Sequence, residues 1–312
     1  VPFDRQMFFR TPTGAQVNLY SRKAKGRPRG ILQINHGLAE HAGRYSRLAD
    51  FMSARGFHTY AHDHRGHGYT TAPGTIRGMF GAIDGVRLVL EDVAAIHTRI
   101  REENLDLPVI VFGHSMGGII ALNHMLRRPQ DAKAVAIWNA NVSAGLPGRL
   151  AQALLAYERF RMGSDVPSRL LPKLTFQAWA RKMPQRRTDF DWLSRDENEV
   201  DRYVADPLCG WDATVSMWQD IFEMIFHAAA DHDFAALPRD LPFHLVGGAE
   251  DPATDGGKAV TDLAARLDRM GFSNLFAKVY DETRHESLNE LNRDIIMTRF
   301  ADWADWVVTK HP

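Results

Sequence analysis

The stretch Gly113-His114-Ser115-Met116-Gly117 sets a hydroxyl between two glycines, after the β-prone apolar run Val109 to Phe112 and before a helix-forming run that starts at Gly118. This spacing suits nucleophilic catalysis. In a G-x-S-x-G turn from strand to helix the backbone is strained and holds the serine Oγ clear of the chain, and a side chain on either flanking glycine would collide with its surroundings. The helix that follows turns its first N–H groups toward developing negative charge. A serine hydroxyl near neutral pH still needs a base to take its proton and a carboxylate to orient that base.

In this arrangement the three groups follow the chain order Ser, Asp or Glu, His. After the strand-like "PFHLVGG" comes "AEDPATD", which offers Glu250, Asp251 and Asp255. Asp251, beside Pro252 at the turn, is the expected orienter. After "LFAKVYDE" comes "TRHESLNE", which puts His285 just beyond a strand and makes it the expected base. An oxyanion requires two donors fixed in advance. The Met116 N–H is one, and the Leu38 N–H, in "HGLAEH" just past the strand "ILQIN", is the other. Losing one such donor costs about 10²–10³ in rate.

The rest of the chain supplies the frame for these residues. Short β-rich runs at 14–21, 30–37, 57–64, 108–114, 134–140, 242–249 and 275–282 end in glycine or polar punctuation. Between them, Val86, Val89, Leu90, Val93, Ile96 and Ile100 keep the spacing of one buried helical face. Such alternation predicts a mostly parallel sheet flanked by helices on both faces. The early "MFFRT" and "GAQVNLYS" runs predict an antiparallel hairpin at one edge.

Between about Ser143 and Leu241 the strands vanish. Trp179, Trp192, Trp211, Trp218, Phe222 and Phe226 accumulate among helical stretches cut by prolines at 147, 167, 172 and 184. We read residues 143–230 as a helical lid inserted into an α/β core made of residues 1–142 and 231–312. "MWQDIFEMIF" (217–226) is apolar on overlapping helical faces, so it serves either the core or the wall of an acyl pocket, with Trp218 and Phe222 as candidate pocket residues. The Arg149–Arg187 stretch is basic, which suits a solvated face or a transient contact with an anionic lipid surface.

Composition excludes several classes. Lys+Arg and Asp+Glu number 38 each, so no overall charge favours nucleic acid. A single cysteine, Cys209, rules out an internal disulfide framework; it reads either as a buried inert thiol or as a residue lining a substrate channel. No apolar run approaches the ~18 residues of a membrane span, and "VPFDRQMFFRTPTG" has no signal-peptide pattern. A soluble, cytoplasmic protein is the resulting expectation. "HTYAHDHRGHG" gathers histidines and an aspartate, but their order fits no metal motif and Arg65 among them opposes a dication. Neither G-x-G-x-x-G nor G-x-x-x-x-G-K-[ST] is present. No cofactor and no metal are expected.

With these residues in view, the chain resembles the monoacylglycerol lipase and lysophospholipase-like group of α/β-hydrolases over nearly its whole length. "HGLAEHAGRY" (36–45), "AHDHRGHG" (61–68), "GHSMGG" (113–118), "YVADPLC" (203–209) and "RHESLNE" (284–290) carry the likeness, in the group's order. The resemblance implies the α/β-hydrolase fold, a lid between the sixth and seventh core strands, and cofactor-free hydrolysis of an acyl glycerol, lysolipid or simpler carboxylic ester. By position it implies Ser115 as nucleophile, Asp251 as orienter, His285 as base, and Leu38 and Met116 as oxyanion donors. Thr70 stands where many relatives have serine, and the lid matches only around 203–209, so acyl length and head group do not transfer. Two other readings stand beside the ester hydrolase: an amidase or peptidase of the same fold, and a ligand-binding protein that hydrolyses slowly. A dehalogenase would need a carboxylate in place of Ser115.

Overall fold

The computed structural model describes residues 3–143 and 145–310. The terminal pairs of the two expected core segments, and Ala144, lie outside the described residues. Eight strands form one sheet: β1 (Arg5–Arg10), β2 (Gln16–Arg22), β3 (Gly30–Asn35), β4 (Phe57–His62), β5 (Val109–His114), β6 (Ala134–Trp138), β7 (Phe243–Gly248) and β8 (Leu275–Tyr280). Their spatial order is β1-β2-β4-β3-β5-β6-β7-β8. β1 and β2 are the predicted antiparallel edge hairpin, β2 also runs antiparallel to β4, and all pairs from β4 to β8 are parallel. This is the α/β-hydrolase architecture.

Side-chain alternation along each strand builds the two cores. Ile31, Val109, Val111, Val135 and Ile137 face one side, packed by α2 (Gly85–Glu103), α3 (Met116–Arg127), α8 (Val215–Ala228) and α9 (Lys258–Arg269). Leu32, Ile34, Ile110, Phe112, Ala134 and Ala136 face the other, packed by α1 (Ser46–Ala54) and α10 (Arg293–Lys310). All six residues of the stripe from Val86 to Ile100 are buried, as their spacing predicts. The central strands β3 to β7 are buried on both faces, which is why they read as continuous apolar runs, whereas the edge strand β8 is half exposed.

Between β6 and β7 run α4 (Gly145–Met162), α5 (Leu171–Leu174), α6 (Phe176–Arg181), α7 (Glu197–Ala205) and α8. Ala180, Trp192, Leu193 and Tyr203 make a separate small core there, joined by Phe176, Trp179 and Phe190. Several hydrogen bonds and ion pairs fasten this region to the sheet side. Tyr203 Oη donates to the Ala39 carbonyl at 2.8 Å, the Gly210 N–H donates to the same oxygen at 3.0 Å, the Glu286 N–H donates to Leu193 O at 2.7 Å, and Arg293 pairs with Asp196 at 2.8 Å. α8 behaves differently from the helices before it: Met217 and Met224 are fully buried, and the helix packs against α3 and α2 as a core helix does. No described helix is long and apolar enough to cross a membrane.

Candidate active site

β5 ends at His114 and α3 begins at Met116, so Ser115 alone makes the turn, with φ 54° and ψ −121°. Two glycines permit it. A Cβ on Gly113 would drive into the Gly117 carbonyl, and a Cβ on Gly117 would drive into the carbonyl of Asn35 at the end of β3. Both obstacles are backbone and cannot swing aside. Gly117→Ala is therefore expected to destabilise the protein by about 3 kcal/mol, read as a fall in the urea midpoint. An unchanged midpoint would mean that the turn is looser than this packing requires.

Three strand ends converge on the serine. His285, beyond β8, places Nε2 3.0 Å from Ser115 Oγ, and its Nδ1 lies 3.0 Å from each oxygen of Asp251, beyond β7. Asp251 is fully buried. It accepts from the Ala253 N–H at 2.9 Å, Thr254 Oγ1 at 2.8 Å and Asn139 Nδ2 at 3.1 Å. Burial alone would raise its pKa, but the neighbouring His285 and these hydrogen bonds outweigh burial and hold the carboxyl below its usual range. Of the other two carboxylates, Glu250 is exposed and faces Arg284 at 3.7 Å, and Asp255 is exposed.

Leu38 lies in the loop after β3 and Met116 opens α3; both line the space in front of Ser115. Among the described residues neither N–H donates to any group. A buried charge cluster fixes this loop against the histidine loop. Glu40 accepts the Gly37 N–H at 2.6 Å and the Tyr45 hydroxyl at 2.8 Å, while Arg44 bridges Glu40 at 2.6 Å and grips Glu286 with bonds of 2.6 and 2.7 Å. Burial opposes the charge on Glu40 and Glu286, yet Arg44 keeps both carboxyls below their ordinary range. His114 Nε2 donates to the His285 carbonyl at 2.9 Å, which ties the residue before Ser115 to the His285 loop.

Asn139, Thr254 and Ser287 are site residues that the sequence reading did not reach. Ser287 Oγ donates to Asn139 Oδ1 at 2.8 Å, and this orients the amide toward Asp251. Asn139 has φ 49°, a conformation tolerated by asparagine, but an asparagine after a strand is too common to announce such a role. Glu40, Arg44 and Glu286 lay inside motifs that carried the family likeness, and nothing in their spacing said that they would meet.

Above Ser115 opens a cavity of about 770 Å³, lined by Ile119, Leu154, Phe176, Trp192, Trp218, Phe222 and Ile225 among others. Trp218, Phe222 and Ile225 face it from α8, so that helix is both core and wall. Cys209 is absent from the lining, and burial pushes its thiol pKa up. In the histidine-rich loop Asp63 accepts from Asn18, the Ala42 N–H and the Tyr69 N–H, which makes it a loop-packing carboxylate.

Residues 26–292 match the family described as serine aminopeptidase, S33. A monoacylglycerol lipase of Mycolicibacterium smegmatis is 28% identical over 279 residues, covering 88% of each chain. A monoglyceride lipase of Homo sapiens is 28% identical over 289 residues, covering 91% of this chain and 84% of the relative. Among solved structures, a thermostable carboxyl esterase from Bacillus coagulans superposes with a TM-score of 0.86 at 22% identity, covering 97% of this chain and 98% of that one.

Proposed function

We propose that this chain, which belongs to the serine aminopeptidase S33 family and is a hydrolase of the lipase and esterase type, acts as a serine carboxylic-ester hydrolase through an acyl-enzyme. Its substrates in this reading are monoacylglycerols, lysophospholipids or short- to medium-chain esters. The observation that carries the proposal is the continuous chain from Ser115 Oγ through His285 to the buried Asp251, opening into an apolar cavity. The ester carbonyl lies over Ser115 with its oxygen between the Leu38 and Met116 N–H groups. His285 takes the serine proton as Oγ attacks and then gives it to the departing alcohol. In the second half it deprotonates water, which releases the acid and restores the serine. Asp251 keeps Nδ1 protonated, so that Nε2 presents its lone pair to the hydroxyl.

In this reading the acyl chain occupies the cavity walled by Trp218 and Phe222, and residues 143–230 act as its lid. Leu146, Leu150 and Phe160 on α4 are exposed, and Arg149 and Arg161 sit among them. That surface supports a transient contact of the lid with a micelle or membrane.

A ladder of p-nitrophenyl esters from acetate to palmitate tests the pocket. The expected optimum lies beyond butyrate. Phe222→Trp, which fills part of the cavity, lowers kcat/KM for the longest productive chain by about tenfold and leaves acetate nearly unchanged. A uniform loss at every length would remove Phe222 from the acyl pocket. Because the family description names an aminopeptidase, an ester and an amide with the same acyl group belong in the same experiment. Faster cleavage of the amide would replace the ester reading.

A further inference from the structure

We propose that His97, His124 and Asp131 form a zinc-binding site that ties α2, α3 and the turn before β6 together. Their ligand atoms lie within 4.8 Å of one another. Both histidines are buried, while the Asp131 side chain is 25% accessible and leaves an entry for an ion.

The imidazoles are set up as ligands. Gln33 donates through Nε2 to the Val93 carbonyl, so its Oε1 faces His97 Nδ1 at 2.8 Å as an acceptor. With Nδ1 donating to Gln33, Nε2 turns its lone pair toward the Asp131 segment, where the Asp131 main chain also lies within hydrogen-bonding reach. A second partner that fixes the tautomer in this way is the usual companion of a metal-bound histidine. His124 Nε2 has no hydrogen-bond partner among the described residues, although it stands 3.3 Å from Asp131 Oδ2. The same 3.3 Å separation also suits two ligands of one ion. Tetrahedral zinc with bonds of about 2.0–2.1 Å separates its donors by about 3.3–3.4 Å. The rings of His97 and His124, 5.6 Å apart and tilted by 45°, can aim at a common point.

Two nitrogens and one carboxylate oxygen select zinc over magnesium or calcium, and water completes the tetrahedron. The site is remote from the candidate active site. His124 lies eight residues beyond Met116 along α3, about 12 Å at the helical rise. A metal here joins segments that meet only in the folded chain, so it acts on stability and leaves the ester chemistry alone.

Untagged protein, stripped with a chelator, would be titrated with zinc chloride by calorimetry and melted with and without the metal. One zinc per chain is expected, with a rise in Tm on the order of 5 °C at about 100-fold excess over Kd and no response to magnesium. Cobalt should give the intense visible bands of a tetrahedral ion. Asp131→Ala, at a partly exposed turn, should fold normally, weaken zinc about 100-fold or more and keep wild-type esterase turnover. His124→Gln should weaken zinc equally. Cys209→Ser should bind as the wild type does, which separates this site from the other donor trio among the described residues, His41, Asp206 and Cys209. The proposal is overturned by absence of zinc binding, by binding that survives both Asp131→Ala and His124→Gln, or by loss in Cys209→Ser.

Discussion

Ser115→Ala should lower kcat on a p-nitrophenyl ester by about 10⁴–10⁶ while leaving the fold and substrate binding in place. The alanine Cβ occupies the position of the serine Cβ, so the turn at φ 54° is neither relieved nor worsened. Only Oγ is lost, together with its 3.0 Å contact to His285 Nε2. The cavity and the two unpaired N–H groups remain, so a residual rate above that of water is expected from positioning alone. Circular dichroism and thermal melting should overlay those of the wild type. Covalent labelling by a fluorophosphonate, seen as an added mass on the peptide containing Ser115, should disappear. Activity within tenfold of wild type, or labelling that persists, would place the nucleophile elsewhere.

Asp251→Asn should cost about 10⁴ in kcat through the proton it misplaces. Nδ1 of His285 faces both oxygens of Asp251 at 3.0 Å, and only an acceptor there keeps the proton on Nδ1. Asn139 and Thr254 both donate to Oδ2 while the Ala253 N–H alone donates to Oδ1, so the two donors at Oδ2 favour the amide that keeps its oxygen there. Its NH₂ then faces Nδ1, the imidazole proton moves to Nε2, and the lone pair that should receive the serine proton is gone. The loss should fall on kcat, with KM little changed. A variant that keeps more than a tenth of wild-type kcat would show that another acceptor holds the histidine. The same substitution alters acid stability. Asp251 has its folded pKa lowered from the ordinary value of 3.8, because His285 and the hydrogen bonds outweigh burial. Its ionised form therefore contributes stability that is fully present above that value and is lost as pH falls through the lower folded pKa. The wild type should lose stability below about pH 4 more steeply than Asp251→Asn, as read from urea midpoints at successive pH values.

The parts of the site legible in the sequence are those with a local cause. The glycines at 113 and 117 announce a tight turn because no larger residue fits there. The runs before Ser115, Asp251 and His285 announce strands, and residues just past parallel strands gather at one edge of the sheet. The two-faced apolar pattern of "MWQDIFEMIF" left core and pocket wall both open, and the fold uses it for both: Met217 and Met224 are fully buried in a helix packed on α3 and α2, while Trp218 and Phe222 line the cavity. Helix existence is a local property, but what a helix packs against is not.

By itself the sequence determined the order of strands and helices, the tight turn at Ser115, and the arrival of a carboxylate and a histidine at strand ends. Short-range sterics and the two periods of side-chain direction fix these features, and both can be read within a window of a few residues. Tertiary structure alone decided that Ser287 orients Asn139 across 148 positions. It also decided that Arg44 clamps Glu286 from 242 positions away. Such pairings leave no periodic trace, because a side chain's partner depends on where the closed chain brings other polar groups once water is excluded. Burial then makes each of these hydrogen bonds obligatory, since a polar group left unpaired there is costly.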